Sequence, residues 1–195
     1  AFLYKTRSNW LLGVEGDFIF GPNVRENNLL AELLTEDGFL IGLDGNLYNP
    51  ILYLRGYYFR ASVEKILPFW QKNENSGPVV RLSTGFLQHK IYYDVKQRGN
   101  LPQINRERVK GYDRLSNGWA STAYLGYHFM STNRLINFAV GLESTFALTQ
   151  NRRSINHDTG LAPTGNRLDI MWGLRARWFL PFYKKRVVDY NKYYQ

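Results

Sequence analysis

Residues 134–148, RLINFAVGLESTFAL, alternate with a period of two over about 15 positions, far beyond the five or six residues of an ordinary globular strand. Ile136, Phe138, Val140, Leu142, Ser144, Phe146 and Leu148 share one face. Leu135, Asn137, Ala139, Gly141, Glu143, Thr145 and Ala147 share the other. Residues 167–180, RLDIMWGLRARWFL, repeat the pattern. Leu168, Ile170, Trp172, Leu174, Ala176, Trp178 and Leu180 lie opposite Arg167, Asp169, Gly173, Arg175 and Arg177. Long strands with an aromatic-rich apolar face and a charged reverse face suit a barrel in lipid with a polar interior.

The same pattern recurs along the chain. Trp10, Leu12, Val14, Phe18 and Phe20 oppose Gly13, Glu15 and Asp17. A strand over 51–66 sets Tyr57, Phe59, Ala61 and Val63 against Gly56, Tyr58, Arg60, Ser62 and Glu64. Arg55 falls on its apolar face, which suggests a bulge in the first half. Residues 79–93 set Val80, Leu82, Thr84 and Phe86 against Arg81, Ser83, Gly85 and His89. Residues 118–130 set Trp119, Ala123, Leu125, Tyr127 and Phe129 against Thr122, Tyr124, Gly126 and His128. Ser131-Thr132-Asn133 reads as a tight turn into the next strand.

Composition narrows the class. Hydrophobic residues make up 44% of the chain, which argues against disorder. No apolar run reaches the roughly 20 residues of a transmembrane helix. In lipid, the alternative that satisfies every backbone group is a closed barrel. Aromatics reach 16%, with 14 Tyr and 5 Trp, as interfacial girdles require. The absence of cysteine excludes disulfides and thiol chemistry. The net charge of +9 points to an anionic partner. Its spread over loops and termini fits lipid phosphates better than a nucleic-acid groove, so no nucleic-acid partner is expected.

The connections alternate between long and short, as in small outer-membrane barrels with long external loops and short periplasmic turns. The expected fold is therefore all-β: a single domain over 1–195, a closed antiparallel transmembrane barrel, with 1–9 and 183–195 as periplasmic tails. Six strands are clear. Barrels of this kind start at eight, so two weaker strands are expected within 36–52, beside a turn of helix at NLLAELL. A soluble barrel with its apolar face inward also alternates and remains the competing architecture.

The inward charges form a nearly balanced set: Glu15, Asp17, Arg60, Glu64, Arg81, Glu143, Asp169, Arg175 and Arg177. Closure would bring Glu15 and Asp17 near Arg175 and Arg177, with Glu143 joining them. Such a lumen is a plugged core, with Gly13, Gly56, Gly85, Gly126, Gly141 and Gly173 making room. The loop cations Arg98, Arg106, Arg108, Lys110 and Arg114, with Arg152 and Arg153, are candidates for gripping lipid A phosphates or an acidic partner. A solvated loop would carry the same charges.

Four stretches carry a resemblance: KGYDRLSNG, NRLINF, NRR, and RLD leading into WFLPFY. Over most of its length the chain resembles a group of small outer-membrane β-barrel proteins of the Bacteroidota. Trp178 and Leu180 look like the terminal signal read by barrel-insertion machinery, although about 15 residues follow it. The resemblance implies membership of a larger envelope assembly for secretion, nutrient uptake or barrel assembly.

His89, His128 and His157 show no metal-ligand spacing, so neither a metal nor a cofactor is expected. His128 and Glu143 lie on adjacent strands and His89 could join them, which keeps a lipid A-modifying enzyme as an alternative. At about 3.4 Å per residue, however, His128 and Glu143 stand tens of ångströms apart. The favoured expectation is a non-enzymatic outer-membrane subunit or scaffold of a Gram-negative bacterium. Its expected neighbours are lipopolysaccharide, other membrane lipid and outer-membrane or periplasmic proteins. A small channel is a further alternative.

Overall fold

The computed structural model describes residues 1–22, 24, 26, 28–67, 69, 75–94, 101–105, 107–130 and 137–182. The strands are β1 (Phe2–Lys5), β2 (Trp10–Gly21), β3 (Leu40–Ile41), β4 (Leu47–Tyr48), β5 (Ile51–Ile66), β6 (Gly77–Asp94), β7 (Ser116–Met130), β8 (Asn137–Asn151) and β9 (Asn166–Trp178). Seven of them form one antiparallel sheet in the order β1-β2-β5-β6-β7-β8-β9. Strands β3 and β4 form a separate hairpin.

The period-two pattern decides which side of the sheet is which. The apolar positions are exposed: Phe18 at 84%, Trp172 at 81% and Leu174 at 83%. The alternate positions are covered, and Glu15, Arg60, Glu64 and Arg81 are buried. The sheet curls until side chains from β9 touch side chains from β2, with Arg175 Nη2 3.0 Å from Asp17 Oδ1. The concave side is thus ionic and the convex side apolar.

Four sequence expectations fail at the margins. The hairpin over 40–48 does not join the main sheet, although strands were expected there. It is too short to add to the ladder and packs among the long loops instead. The seventh strand comes from Phe2–Lys5, expected as part of a tail, which pairs with Leu11–Val14 of β2. The turn between them places Asn9 at φ 60°, a left-handed conformation that Asn tolerates better than most residues. The register of β5 with β2 and β6 runs unbroken through Arg55, so the expected bulge is absent and the cation does point outward. NLLAELL makes successive turns rather than a helix. The Ser131–Asn133 turn, and residues 183–195 of the expected tail, lie outside the described residues.

At one end of the sheet the connections are short. At the other, the long loops fold over it. Leu29, Leu30, Leu40, Leu101 and Ile104 from the loops pack with Ile91 and Tyr93 at the end of β6 in a small apolar core. Two single 3₁₀ turns, Pro102–Ile104 and Arg108–Gly111, carry the basic loop across this cap.

Gly85 shows why small residues line the concave side. A Cβ there would collide with the backbone carbonyl of Phe59 on the neighbouring strand. Gly85→Val should therefore weaken the β5–β6 ladder by about 1–3 kcal/mol. The expected readout is a lower urea midpoint of the refolded protein, followed by tryptophan fluorescence.

Candidate functional site

The charged residues of the concave side converge because β2, β5, β8 and β9 each turn their polar positions inward. Arg60 on β5 sits at the centre. Its Nη2 donates to Asp17 Oδ2 at 2.7 Å and lies 3.3 Å from Glu143 Oε2, while its Nε lies 3.4 Å from Glu15 Oε2. Arg175 on β9 bridges the same three carboxylates, reaching Asp17 at 3.0 Å, Glu143 at 3.1 Å and Glu15 at 3.2 Å. Arg81 closes the group on Glu15. The Arg60, Arg81 and Glu15 side chains are at most 1% exposed, so the pairs among them are shielded from water and from salt, whereas Asp17, Glu143 and Arg175 are partly open.

The network extends both ways along the strands. Toward the short-turn end, Arg177 Nη1 meets Glu64 Oε2 at 2.5 Å, and His128 Nδ1 lies 3.6 Å from Glu64 Oε1. The His128 ring stacks on Phe179 with centroids 4.7 Å apart. Toward the loop end come hydroxyls: Tyr58 donates to the Ala120 carbonyl at 3.1 Å, and Thr122 and Thr145 share a bond of 2.8 Å. Beyond them Asp169 accepts from Thr149 at 2.6 Å, from His89 Nε2 at 2.8 Å and from Arg167 Nε at 2.7 Å.

The sequence-based pairing is therefore met in outline and redrawn in detail. Glu15, Asp17, Glu143 and Arg175 do come together, with Arg60 and Arg81 among them. Arg177 instead serves Glu64, and Asp169 belongs to a separate cluster. Arg60, Arg81, Arg175 and Arg177 face Glu15, Asp17, Glu64 and Glu143, so the packed centre is electrically balanced. The arrangement holds strands together and fills the space between them. The β7–β8 register sets Glu143 opposite Tyr124, four residues or about 14 Å from His128 and much nearer than expected, yet His128, Glu143 and His89 do not assemble into one site: their partners are Glu64, the two arginines and Asp169 respectively. Among the described residues no three His, Asp or Glu side chains are grouped to hold a metal ion.

The loop cations divide. Arg114 reaches Glu26 at 2.5 Å and Asp158 at 3.1 Å. Arg153 forms a fork on Asp113, with Nε donating at 2.7 Å. That hydrogen bond raises the Arg153 pKa above its ordinary value. Arg152 bonds Asn117 and Gln150. These three are committed to the fold, whereas Arg108 and Lys110 flank an exposed turn. Arg98 and Arg106 lie outside the described residues. Asp113, with Tyr112 and Arg114, belongs to the KGYDRLSNG stretch expected from sequence either to fold back over the lumen or to dock a partner, whereas the carboxylates Glu26 and Asp158 were not singled out. Their signal was acidic residues scattered through arginine-rich loops. Burial of the Tyr112 hydroxyl beside this cluster raises its pKa, and its ring lies 5.1 Å from that of His157.

Removing Arg60 leaves the buried cluster one positive charge short, with Arg175 and Arg81 to serve Glu15, Asp17 and Glu143. Arg60→Ala should cost about 3–5 kcal/mol in the unfolding free energy, read from a urea titration. Arg167→Ala, whose side chain is 45% exposed, should cost less than about 1 kcal/mol in the same urea titration. Arg153→Ala should release the cap, seen as new trypsin cleavage within 101–115 while the sheet stays protected. No known protein family, curated protein or solved structure matches the chain.

Proposed function

We propose that this chain is an outer-membrane β-barrel that works as a non-enzymatic subunit or scaffold of a larger cell-envelope assembly. The observation that carries the reading is the division of the sheet into an exposed apolar convex face and an ionic concave one. In water such a convex face would be a very large unprotected patch. In lipid it is the favoured surface, and the outward strand positions span about the 9–11 residues that a tilted strand needs to cross the hydrocarbon.

Closure follows from the same premise. A sheet edge cannot face hydrocarbon, because its N–H and C=O groups would have no partners. Strands β1 and β9 run in the same direction, so an all-antiparallel closure needs one more strand between them, running opposite to both. That gives the even number, eight. The bridges from Arg175 to Asp17 and Glu15, across the inside, support an approach of the two sheet ends.

The filled interior argues against conduction, since a path for solute would have to break shielded ion pairs. The loops offer a surface for protein contact. On the β3–β4 hairpin Ile41, Leu43 and Leu47 are exposed outside the strand wall, and Leu161 is exposed in the last loop. Such residues suit contact with another protein of the assembly. An enzymatic reading would need a nucleophile and base in reach of substrate, and two of the histidines are tied to carboxylates on the concave side, His89 to Asp169 and His128 to Glu64, while the His157 ring lies against Tyr112.

Three measurements test this. The protein should require detergent or lipid to stay dispersed and should run as a compact band until heated in dodecyl sulfate. A folded, monodisperse particle in plain buffer overturns the membrane reading. In planar bilayers no steady open current is expected. Mild extraction of native membranes should yield the chain with other envelope proteins; a lone species at stoichiometric recovery overturns the subunit role.

A further inference from the structure

Two cations interrupt the apolar convex wall side by side. Arg55 on β5 and Lys90 on β6 are direct cross-strand partners, and both are exposed. Like charges directly opposite one another on an antiparallel pair repel. Neither is ion-paired to a carboxylate of a described residue under a 4.0 Å limit. The Arg55 guanidinium instead rests 4.7 Å from the ring centre of Tyr92 and 5.8 Å from that of Tyr53. These rings orient it without neutralising it.

The position along the wall is informative. Phe18, Tyr57, Gln88, Asn117, Gln150 and Asn166 form one continuous row across the sheet. Its four amides mark where the outward face turns from mainly apolar to mixed. One outward step closer to the loops, the next row carries Phe20, Arg55 and Lys90. The cations therefore stand at the level where headgroup phosphates meet acyl chains. A groove of about 720 Å³ opens there, with Phe18, Phe20, Arg55, Tyr57, Gln88 and Lys90 among its lining residues.

We propose that Arg55 and Lys90 jointly bind the phosphate of a lipid headgroup, with an acyl chain of the same lipid lying against Phe18, Phe20 and Tyr57. The guanidinium supplies a forked pair of donors and the ammonium a mobile point charge, a combination matched to a phosphate. The anion would also relieve the repulsion between the two cations. This site is on the wall, whereas Arg114 and Arg153 of the loops already hold internal carboxylates. The inference rests on the membrane reading and adds a ligand to it.

The test uses full-length protein in mild detergent, titrated with lipid A and followed by native mass spectrometry. The wild type should retain one lipid A. Arg55→Gln with Lys90→Gln should weaken retention by about tenfold or more, the loss expected for charge-assisted hydrogen bonds to one phosphate. Lys65→Gln, which removes an outward cation at the opposite end, should bind like the wild type. Dephosphorylated lipid A with the same acyl chains should bind as weakly to the wild type as lipid A does to the double variant. Inorganic phosphate should not displace the lipid at equal concentration. Unchanged binding by the double variant, or equal binding of the dephosphorylated lipid, overturns the site. Displacement by inorganic phosphate reassigns it to a free anion and overturns the lipid. Heat-modifiable migration of each variant shows that the barrel is intact, so that a failed site is distinguishable from a failed membrane reading.

Discussion

Arg60 and Arg175 sharing three carboxylates is the interaction on which the curvature of the sheet depends. The carboxylates come from β2 and β8, and the guanidiniums from β5 and β9. No ladder of backbone hydrogen bonds among the described residues links β9 to β2, yet their side chains meet. The buried members of this group, Arg60 and Glu15, are weak evidence for stability as such, because those ions have given up their hydration. Their geometric demand is strict, however. A guanidinium has a planar fork and fixed reach, so it specifies how far the two halves of the sheet can separate. Hydrophobic packing inside would fill the space without setting that distance.

Much of this was legible from the chain because a strand has one simple rule. Side chains alternate, so one apolar set and one polar set predict both faces of every long strand. The placement of Glu15, Asp17, Glu143 and Arg175 together followed from that rule and from bringing the first strand toward the last. What alternation could not supply was stagger along the strand axis. Arg177 is two residues from Arg175, and that single step moves it to Glu64 on another strand. Asp169 is far enough up β9 to join His89 instead. Short elements were also misread. Phe2–Lys5 is too brief to show a period, and 40–48 shows turn residues that serve a local hairpin as well as they would serve a sheet strand.

The loops were the least legible part, and the reason is physical. Their structure is set by tertiary pairing between distant positions: Leu30 N–H donates to Asp158 at 2.8 Å, and the Ile91 N–H donates to the Asp113 carbonyl at 2.7 Å. Nothing in local propensity announces such partners. Arginines that look available in one dimension can be fully engaged in three. Conversely Arg55, which disturbed the strand pattern and suggested a backbone irregularity, sits in a regular ladder and is unusual only in its chemistry.

The length of β6 has a mechanical consequence. Its 18 residues run from the short-turn end of the wall to Ile91 and Tyr93 inside the apolar core of the cap. A neighbour tugging on the loops would thus load a strand that continues without a hinge through the full height of the sheet. That force would be distributed in shear over the paired strands on either side, so the cap and the wall should move as one rigid body rather than as a lid on a vessel.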